Sequence, residues 1–267
     1  PEGTVDLDDI AAVWYRRFAP ARALPEATAM RSAAVRESHA ALTGLIEVLP
    51  VFHLDDVVDV RRADNKLLQL KWASEVGLPV PETLVTNDEH AVRRFARACT
   101  DGFVAKTLSS FVVTDSDGAE RAVYTSLVRD EDLEDMSGLR LSPMQFQELV
   151  PKAFDVRCTV VGTRVFTAVL EAPTHDDGCV DWRIKGSELA DAWLPHALPP
   201  HIEVALRALL DRLGLNYGAI DMIVTPEGDY VFLEVNPAGE FLWLDELVSP
   251  SISDALADVL VGVGRRV

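Results

Sequence analysis

The sequence predicts an α+β protein. Two stretches, 155–171 and 219–235, read as antiparallel hairpins whose strands flank Gly-containing turns. Three others, 65–76, 87–99 and 201–213, place apolar residues at helical spacing between capping and stop signals. With 267 residues, the chain is long enough for one large domain or two subdomains with a real core.

Composition narrows the partners. A net charge of −18 disfavours broad phosphate contacts, so nucleic acid is not an expected partner. A smaller anionic ligand must then be held by a few local cations and a metal, which makes every lysine or arginine in an apolar setting informative. The 48% hydrophobic content, a mean hydropathy of +0.10 and the lack of a bilayer-length apolar run suggest a soluble protein without a membrane partner. No signal segment opens the chain, and a reducing cytoplasm is the expected location. Cys99, Cys158 and Cys179 are odd in number and far apart, which argues against disulfides and zinc; Cys99 and Cys158 read as small core residues. The opening Pro1-Glu2-Gly3 reads like the middle of a domain, so a preceding N-terminal portion is expected.

Taken in order, Ala11–Tyr15 reads as a short strand and the Ala-rich run from Glu26 to Leu49 as helix, with Glu37, Ser38 and His39 on a polar face. Residues 50–64 read as an acidic connector. Asp64 then caps a helix from Asn65 to Val76 that Gly77 and Pro79 stop. Lys66 sits in its first turn, where the helix dipole favours an anion over a cation. It is either a phosphate ligand or an exposed lysine. Thr83–Thr86 is a strand, and Asn87 caps a helix ending at Cys99. In the apolar strand Phe103–Leu108, Lys106 either meets an anion or snorkels from an edge. Phe111–Val113 and Ala122–Leu127 flank an Asp-Gly turn; a helical turn at 130–135 precedes the strand Gln145–Val150.

The hairpin Asp155–Val161/Arg164–Glu171 places Arg157 and Thr159 on one face, opposite Val156, Cys158 and Val160. Arg157 is a phosphate clamp or a cross-strand ion pair. His175, Asp176, Asp177 and Cys179 match no zinc spacing and read as a polar loop. Arg183 follows Trp182, a pairing that suggests a stacked guanidinium. His201–Leu213 is an amphipathic helix closed by Gly214, and Ser253–Leu260 is the last helix. There is no P-loop, Rossmann or zinc-protease motif, and no nucleophile elbow.

The final hairpin carries the chemistry. Its strands, Ala219–Val224 and Tyr230–Val235, join through Pro226 and Gly228, and a turn centred on Glu227–Gly228 sets Asp221 opposite Glu234. Asn236 shares the Glu234 face. Directly opposed residues have Cβ atoms roughly 5 Å apart, and like charges there destabilise a sheet. Two carboxylates and an amide offer oxygen ligands suited to Mg²⁺, which commonly shares its shell with substrate phosphates. The competing reading is an ordinary hairpin with a wet acidic face.

The order Lys66, Lys106, F-Q-E-L-V, D-V-R, D-W-R, G-A-I-D and F-L-E-V-N-P resembles the ATP-grasp superfamily. The resemblance implies two α+β subdomains gripping ATP, with a pre-grasp remnant over 1–62, a central subdomain over 63–147 and a C-terminal one over 148–267. It implies that Lys66 and Lys106 contact phosphates. It assigns Glu148, Leu149 and Val150 to adenine, Asp155 to the ribose, Arg157 and Arg183 to the transferred phosphoryl group, and Asp221, Glu234 and Asn236 to Mg²⁺. Val13–Phe18, Gln69–Asn87, Phe154–Phe166 and N-P-A-G-E-F-L-W-L further resemble graspetide (microviridin-type) maturases. That class implies a ribosomal precursor peptide, leader plus core, whose Asp or Glu side chains are activated and closed as esters or amides. Such maturases are often homodimers, though no surface stripe in this sequence marks a dimer face. Glu240 stands where the class more often has Gln; Asp181 and Glu240 are the candidate bases. A ligase for free amino acids or a protein tail, and a non-catalytic nucleotide-binding module, are the alternatives.

Overall fold

In the computed structural model the described residues are 5–16, 30–109, 112–114, 120–172, 180–185, 189–248 and 251–267. The polar loop at 174–179 and the Asp-Gly turn at 117–118 lie outside them. The chain opens with β1 (Ala12–Trp14), α1 (Arg31–Val48) and β2 (Phe52–Leu54), β1 and β2 pairing in parallel. Next come α2 (Val57–Ala63), α3 (Lys66–Glu75), β3 (Thr83–Thr86), α4 (Glu89–Ala98) and β4 (Phe103–Lys106). Short strands β5 (Val112–Thr114), β6 (Glu120–Ala122) and β7 (Ser126–Leu127) lead to β8 (Met144–Glu148). The rest is β9 (Phe154–Val161), β10 (Arg164–Glu171), β11 (Leu194–Pro195), α5 (Pro200–Leu213), β12 (Tyr217–Val224), β13 (Tyr230–Asn236), α6 (Leu242–Asp245) and α7 (Ile252–Leu260).

Two sheets matter. The smaller is four-stranded, in the order β3-β8-β4-β7, with α4 packing Val92 and Phe95 against Phe103 and Phe146. The larger is five-stranded, in the order β11-β10-β9-β12-β13. Val156, Cys158, Val160, Ile220 and Met222 alternate onto one of its faces, where α5 buries Leu206, Leu209, Leu210 and Leu213. On the other face one end is covered by α6, α7 and Trp193, while the opposite end is open to the cleft. Gly214 ends α5 in the left-handed conformation (φ 77°), which turns the chain directly into β12.

Several boundaries differ from the sequence reading. Residues 50–64 are not a plain connector: they contain β2 and α2, whose Leu54, Val57, Val60 and Ala63 are buried. Asp64 is the C-cap of α2, and Asn65 caps α3 by accepting from Leu68 N. Likewise Asp88, not Asn87, caps α4. The Lys106 strand ends at Lys106 itself. The stretch 122–127 is split, Glu120–Ala122 pairing with β5 and Ser126–Leu127 with β4.

The acidic run also hides a structural anchor. Asp55 is buried and accepts the backbone N–H groups of Asn216 (2.7 Å) and Tyr217 (2.8 Å), tying β2 to the start of β12. Burial pushes its carboxyl up from 3.8 to about 6, against the pull of those two bonds. A folded pKa above the unfolded one means that the fold prefers the protonated group. Its contribution to stability therefore improves as pH falls from about 6 towards 3.8 and is poorest above 6. Asp55→Ala, which leaves two buried donors unpaired, is expected to cost roughly 2–4 kcal/mol in urea unfolding at neutral pH. Asp55→Asn should remove this group's pH dependence.

Candidate active site

A cavity of about 820 Å³ opens between the two sheets, lined from α3, the end of β4, β9, β12, β13 and the Asp181–Arg183 turn. Its floor is the last hairpin, where Asp221 faces Glu234 as expected. The route to that register differs. Val224 pairs with Tyr230 and Met222 with Phe232, a turn centred on Glu227, and the register then shifts between Asp221 and Met222. Leu233 is the extra residue of this β-bulge. Phe232 is fully buried in the α5-side core, whereas Leu233 and Glu234, two successive residues, both line the cavity. The bulge is what re-aims Glu234 into the cleft. Val235 packs into the core while bordering the cavity, and Asn236 lines the cavity with Oδ1 accepting from Ala238 N (2.9 Å).

Cations converge on these carboxylates. Lys66 Nζ lies 3.1 Å from Glu234 Oε2 and donates to Thr107 O. Arg183 donates from Nη1 to Glu234 Oε1 (3.2 Å) and grips both oxygens of Asp181 (2.8 Å each). Lys106, at the end of β4, donates to Gln147 Oε1 (2.5 Å). Arg157, paired across the sheet with Asp221, donates to both of its oxygens (2.9 and 3.0 Å) and to Glu240 O.

The charges titrate accordingly. Burial lowers the Lys106 pKa from 10.5 to about 8, with Glu234 opposing and Lys66 adding to the shift. Burial and the facing Glu234 hold the Asp221 carboxyl above its ordinary value despite Arg157. Burial would raise Glu234 too, but Lys66, Arg183 and Lys106 together outweigh it and leave the carboxyl below its usual range. Asp181 is likewise lowered: its bonds to Arg183 overcome burial. Glu234 is thus the firmly ionised member of the opposed pair.

Of the sequence-proposed residues, Lys66, Lys106, Asp155, Arg183, Asp221, Glu234 and Asn236 line this one cavity. Glu148, Leu149 and Val150 line a smaller apolar cavity of about 260 Å³, which shares Lys106 and Leu233 with the first. Arg157 is instead buried beneath Asp221; the cross-strand ion pair is the reading its contacts realise. Arg183 is not held by stacking on Trp182, which turns into a cluster with Trp193 and Trp243; Asp181 fixes it. Asp181 therefore orients an arginine, and its occupied oxygens and lowered pKa do not suit it to be a base. Glu240 bonds Arg16 (2.9 Å).

Lys152 and Gln69 are among the site's supporting residues that the sequence does not single out. Lys152 holds both oxygens of Asp155 (2.9 and 2.8 Å). Gln69, almost wholly buried, pairs with the backbone of Val235. The available signal for Gln69 was its place one turn after Lys66, on the side of α3 that carries Ala73 inward.

Two α+β layers closing on opposed carboxylates and converging cations define an ATP-grasp architecture. Residues 1–61 match the family described as the MvdD pre-ATP grasp domain. The macrocyclase MdnC from Microcystis aeruginosa MRC, solved bound to precursor peptide MdnA, is 40% identical, with a TM-score of 0.87 over 97% of this chain and 80% of its own. A RiPP-associated ATP-grasp ligase of Chryseobacterium gregarium, in complex with ADP and a leader and core peptide, is 38% identical, with a TM-score of 0.89 over 98% and 79%. Macrocyclase MdnB, also from Microcystis aeruginosa MRC, is 37% identical, with a TM-score of 0.76 over 97% and 79%. The search of curated proteins gave no match. The chain belongs to the ATP-grasp ligases of ribosomal-peptide (RiPP) biosynthesis, the graspetide macrocyclases.

Proposed function

We propose that this chain is an ATP-dependent macrocyclase that activates Asp or Glu side chains of a ribosomal precursor peptide and closes them as esters onto Ser/Thr or amides onto Lys. The observation that carries this reading is the convergence of Lys66, Lys106 and Arg183 on Glu234, with Asp221 opposite, in one cleft. Clustered cations beside two opposed carboxylates would suit a polyanion together with a divalent ion. Asp221, Glu234 and Asn236 offer oxygen donors only, which fits Mg²⁺. Mg²⁺ in that place supplies charge neutralisation at the phosphate oxygens.

In this reading Lys66 and Lys106 bind the ATP phosphates, adenine enters the smaller cavity beside Glu148–Val150, and Asp155, held by Lys152, takes the ribose. The peptide carboxylate attacks the γ-phosphorus. The bond from that phosphorus to the β–γ bridging oxygen breaks, and ADP leaves with the electron pair. Arg183 faces the acyl phosphate. A hydroxyl or amine of the same peptide then attacks the acyl carbon, the bond from that carbon to the phosphate oxygen breaks, and phosphate departs carrying the nucleophile's proton. Positioning and charge neutralisation carry most of such a transfer. Arg157 acts through Asp221, holding that carboxylate in place.

A further cavity of about 680 Å³, with Val92, Leu139 and Phe146 in its apolar floor and Glu131, Asp132 and Asp135 at its rim, adjoins the cleft through Thr125 and Val180. Its chemistry suits an amphipathic, basic peptide segment, and we assign the leader there. The division into 1–62, 63–147 and 148–267 follows this reading, as does a cytoplasmic setting; among the described residues no helix is long and apolar enough to cross a membrane.

The test is incubation with ATP, Mg²⁺ and a candidate precursor peptide whose core carries repeated Thr/Ser and Asp/Glu. ADP release with loss of one water per link is expected; AMP release or an unchanged peptide mass rejects the reading. A pH dependence follows as well. Lys106 loses its proton as pH rises through about 8, so ADP affinity should be greatest below that value and decline above it. Because the bound phosphates favour the charged lysine, ADP binding near that pH should take up protons, measurable by calorimetry in buffers of different ionisation enthalpy.

A further inference from the structure

The bulge in β13 leaves a competing register one residue away. If the pairing of Met222 with Phe232 simply continued, Leu233 would face Asp221, and Glu234 would fall opposite Ile220. β13 is an edge strand of its sheet: among the described residues no further strand pairs with its outer side, where Phe232 N–H donates to Pro79 O (2.8 Å). At Val235, between Glu234 and Asn236, that side is occupied by a side chain. Gln69 Oε1 accepts Val235 N–H (3.0 Å), and its Nε2 donates to Val235 O (2.8 Å) and to Ala63 O (2.6 Å). The carboxamide thus pairs with one residue of β13 as a neighbouring strand would, and is itself fixed to the end of α2. Gln69 lies one turn after Lys66 on α3, so one helix both contacts Glu234 and clamps the residue that follows it.

We propose that Gln69 is a positioning residue for the metal-ligand strand: it holds β13 in the bulged register that presents Glu234 and Asn236 alongside Asp221. The proposal rests on the reading of those three side chains as Mg²⁺ ligands. It assigns Gln69 no contact with nucleotide or peptide. Groups that orient metal ligands without touching the metal typically cost about 10- to 100-fold in metal affinity when removed.

The experiment compares the protein with Gln69→Leu, which keeps the bulk and removes all three bonds. ADP binding is measured by calorimetry with and without Mg²⁺, and backbone hydrogen exchange is followed over 230–236. The expected result is ADP affinity without Mg²⁺ within about twofold of the parent, the Mg²⁺-dependent gain reduced about tenfold, and faster exchange confined to β13. An undiminished Mg²⁺ gain, or equal loss of ADP binding with and without Mg²⁺, overturns the proposal. Should Gln69→Leu not fold, Gln69→Glu, which can still accept from Val235 N–H, is put through the same comparison. Failure of both to fold assigns Gln69 to the core and also overturns it. If the parent itself shows no Mg²⁺-dependent gain, the ligand assignment fails instead, and the exchange data still report whether Gln69 holds the strand.

Discussion

Glu234→Gln is expected to abolish turnover, lowering kcat by about 10³-fold or more, because it removes charge from the centre of the cation cluster where the phosphoryl group is transferred. Peptide conversion followed by mass spectrometry checks it, and full activity in the variant would refute the metal-ligand assignment. The expected effect on stability is small but has a definite sign. Facing carboxylates by themselves suggest that losing Glu234 relieves repulsion against Asp221. The surroundings reverse this: Lys66 and Arg183 bond the Glu234 carboxylate, and with Lys106 they outweigh its burial and leave its pKa below the ordinary value. A folded pKa below the unfolded one gives stability that is present above about 4.5 and is lost as pH falls through the folded value. The variant should therefore be less stable by about 1–2 kcal/mol at pH 7, and the gap should close in acid. Urea melts at the two pH values measure it.

Arg157→Leu is expected to destabilise the protein by about 3–5 kcal/mol, since it strands the buried Asp221 carboxylate without its partner. For a chain of this size that is a fall of roughly 10 °C in Tm. Arg157→Lys keeps the charge but not the bidentate grip on Asp221 with the bond to Glu240 O, and should fall between. Arg157→Leu combined with Asp221→Leu should recover much of the stability while remaining inactive, because an apolar pair can replace a buried ion pair but cannot bind a metal. A double-mutant cycle on Tm, run beside the turnover assay, separates the structural share of Arg157 from its share in catalysis. Recovery of activity in the double variant would contradict the role given to Asp221.

Much of this site is legible in the residues alone, for a physical reason. Lysine in an apolar strand and carboxylates opposed across a hairpin are costly arrangements, and costly arrangements signal a ligand. That logic brings out Lys106, Asp221, Glu234 and Asn236, and the helix-terminus argument brings out Lys66. It does not reach Gln69 or Lys152. An amide that pairs with backbone and a lysine that pairs with a neighbouring aspartate carry no local signature; their partners are settled by the fold. The caps show the same limit on a smaller scale. Asp64 and Asn65, or Asn87 and Asp88, are adjacent residues that both cap well, and only the path of the preceding segment decides between them.

The alternation of side chains, the turn residues and the placement of charge in apolar strands determine an α+β chain with an acidic hairpin and scattered cations, because these depend on spacing along a few residues. Which cation meets which carboxylate is decided only when the sheets are assembled. Arg157 lies far from Asp221 in sequence and adjacent to it across the sheet, Arg183 is aimed by Asp181 rather than by Trp182, and a single bulged residue, Leu233, turns Glu234 into the cleft. Hydrogen-bond partners and register are properties of packing, and packing is what a linear pattern does not contain.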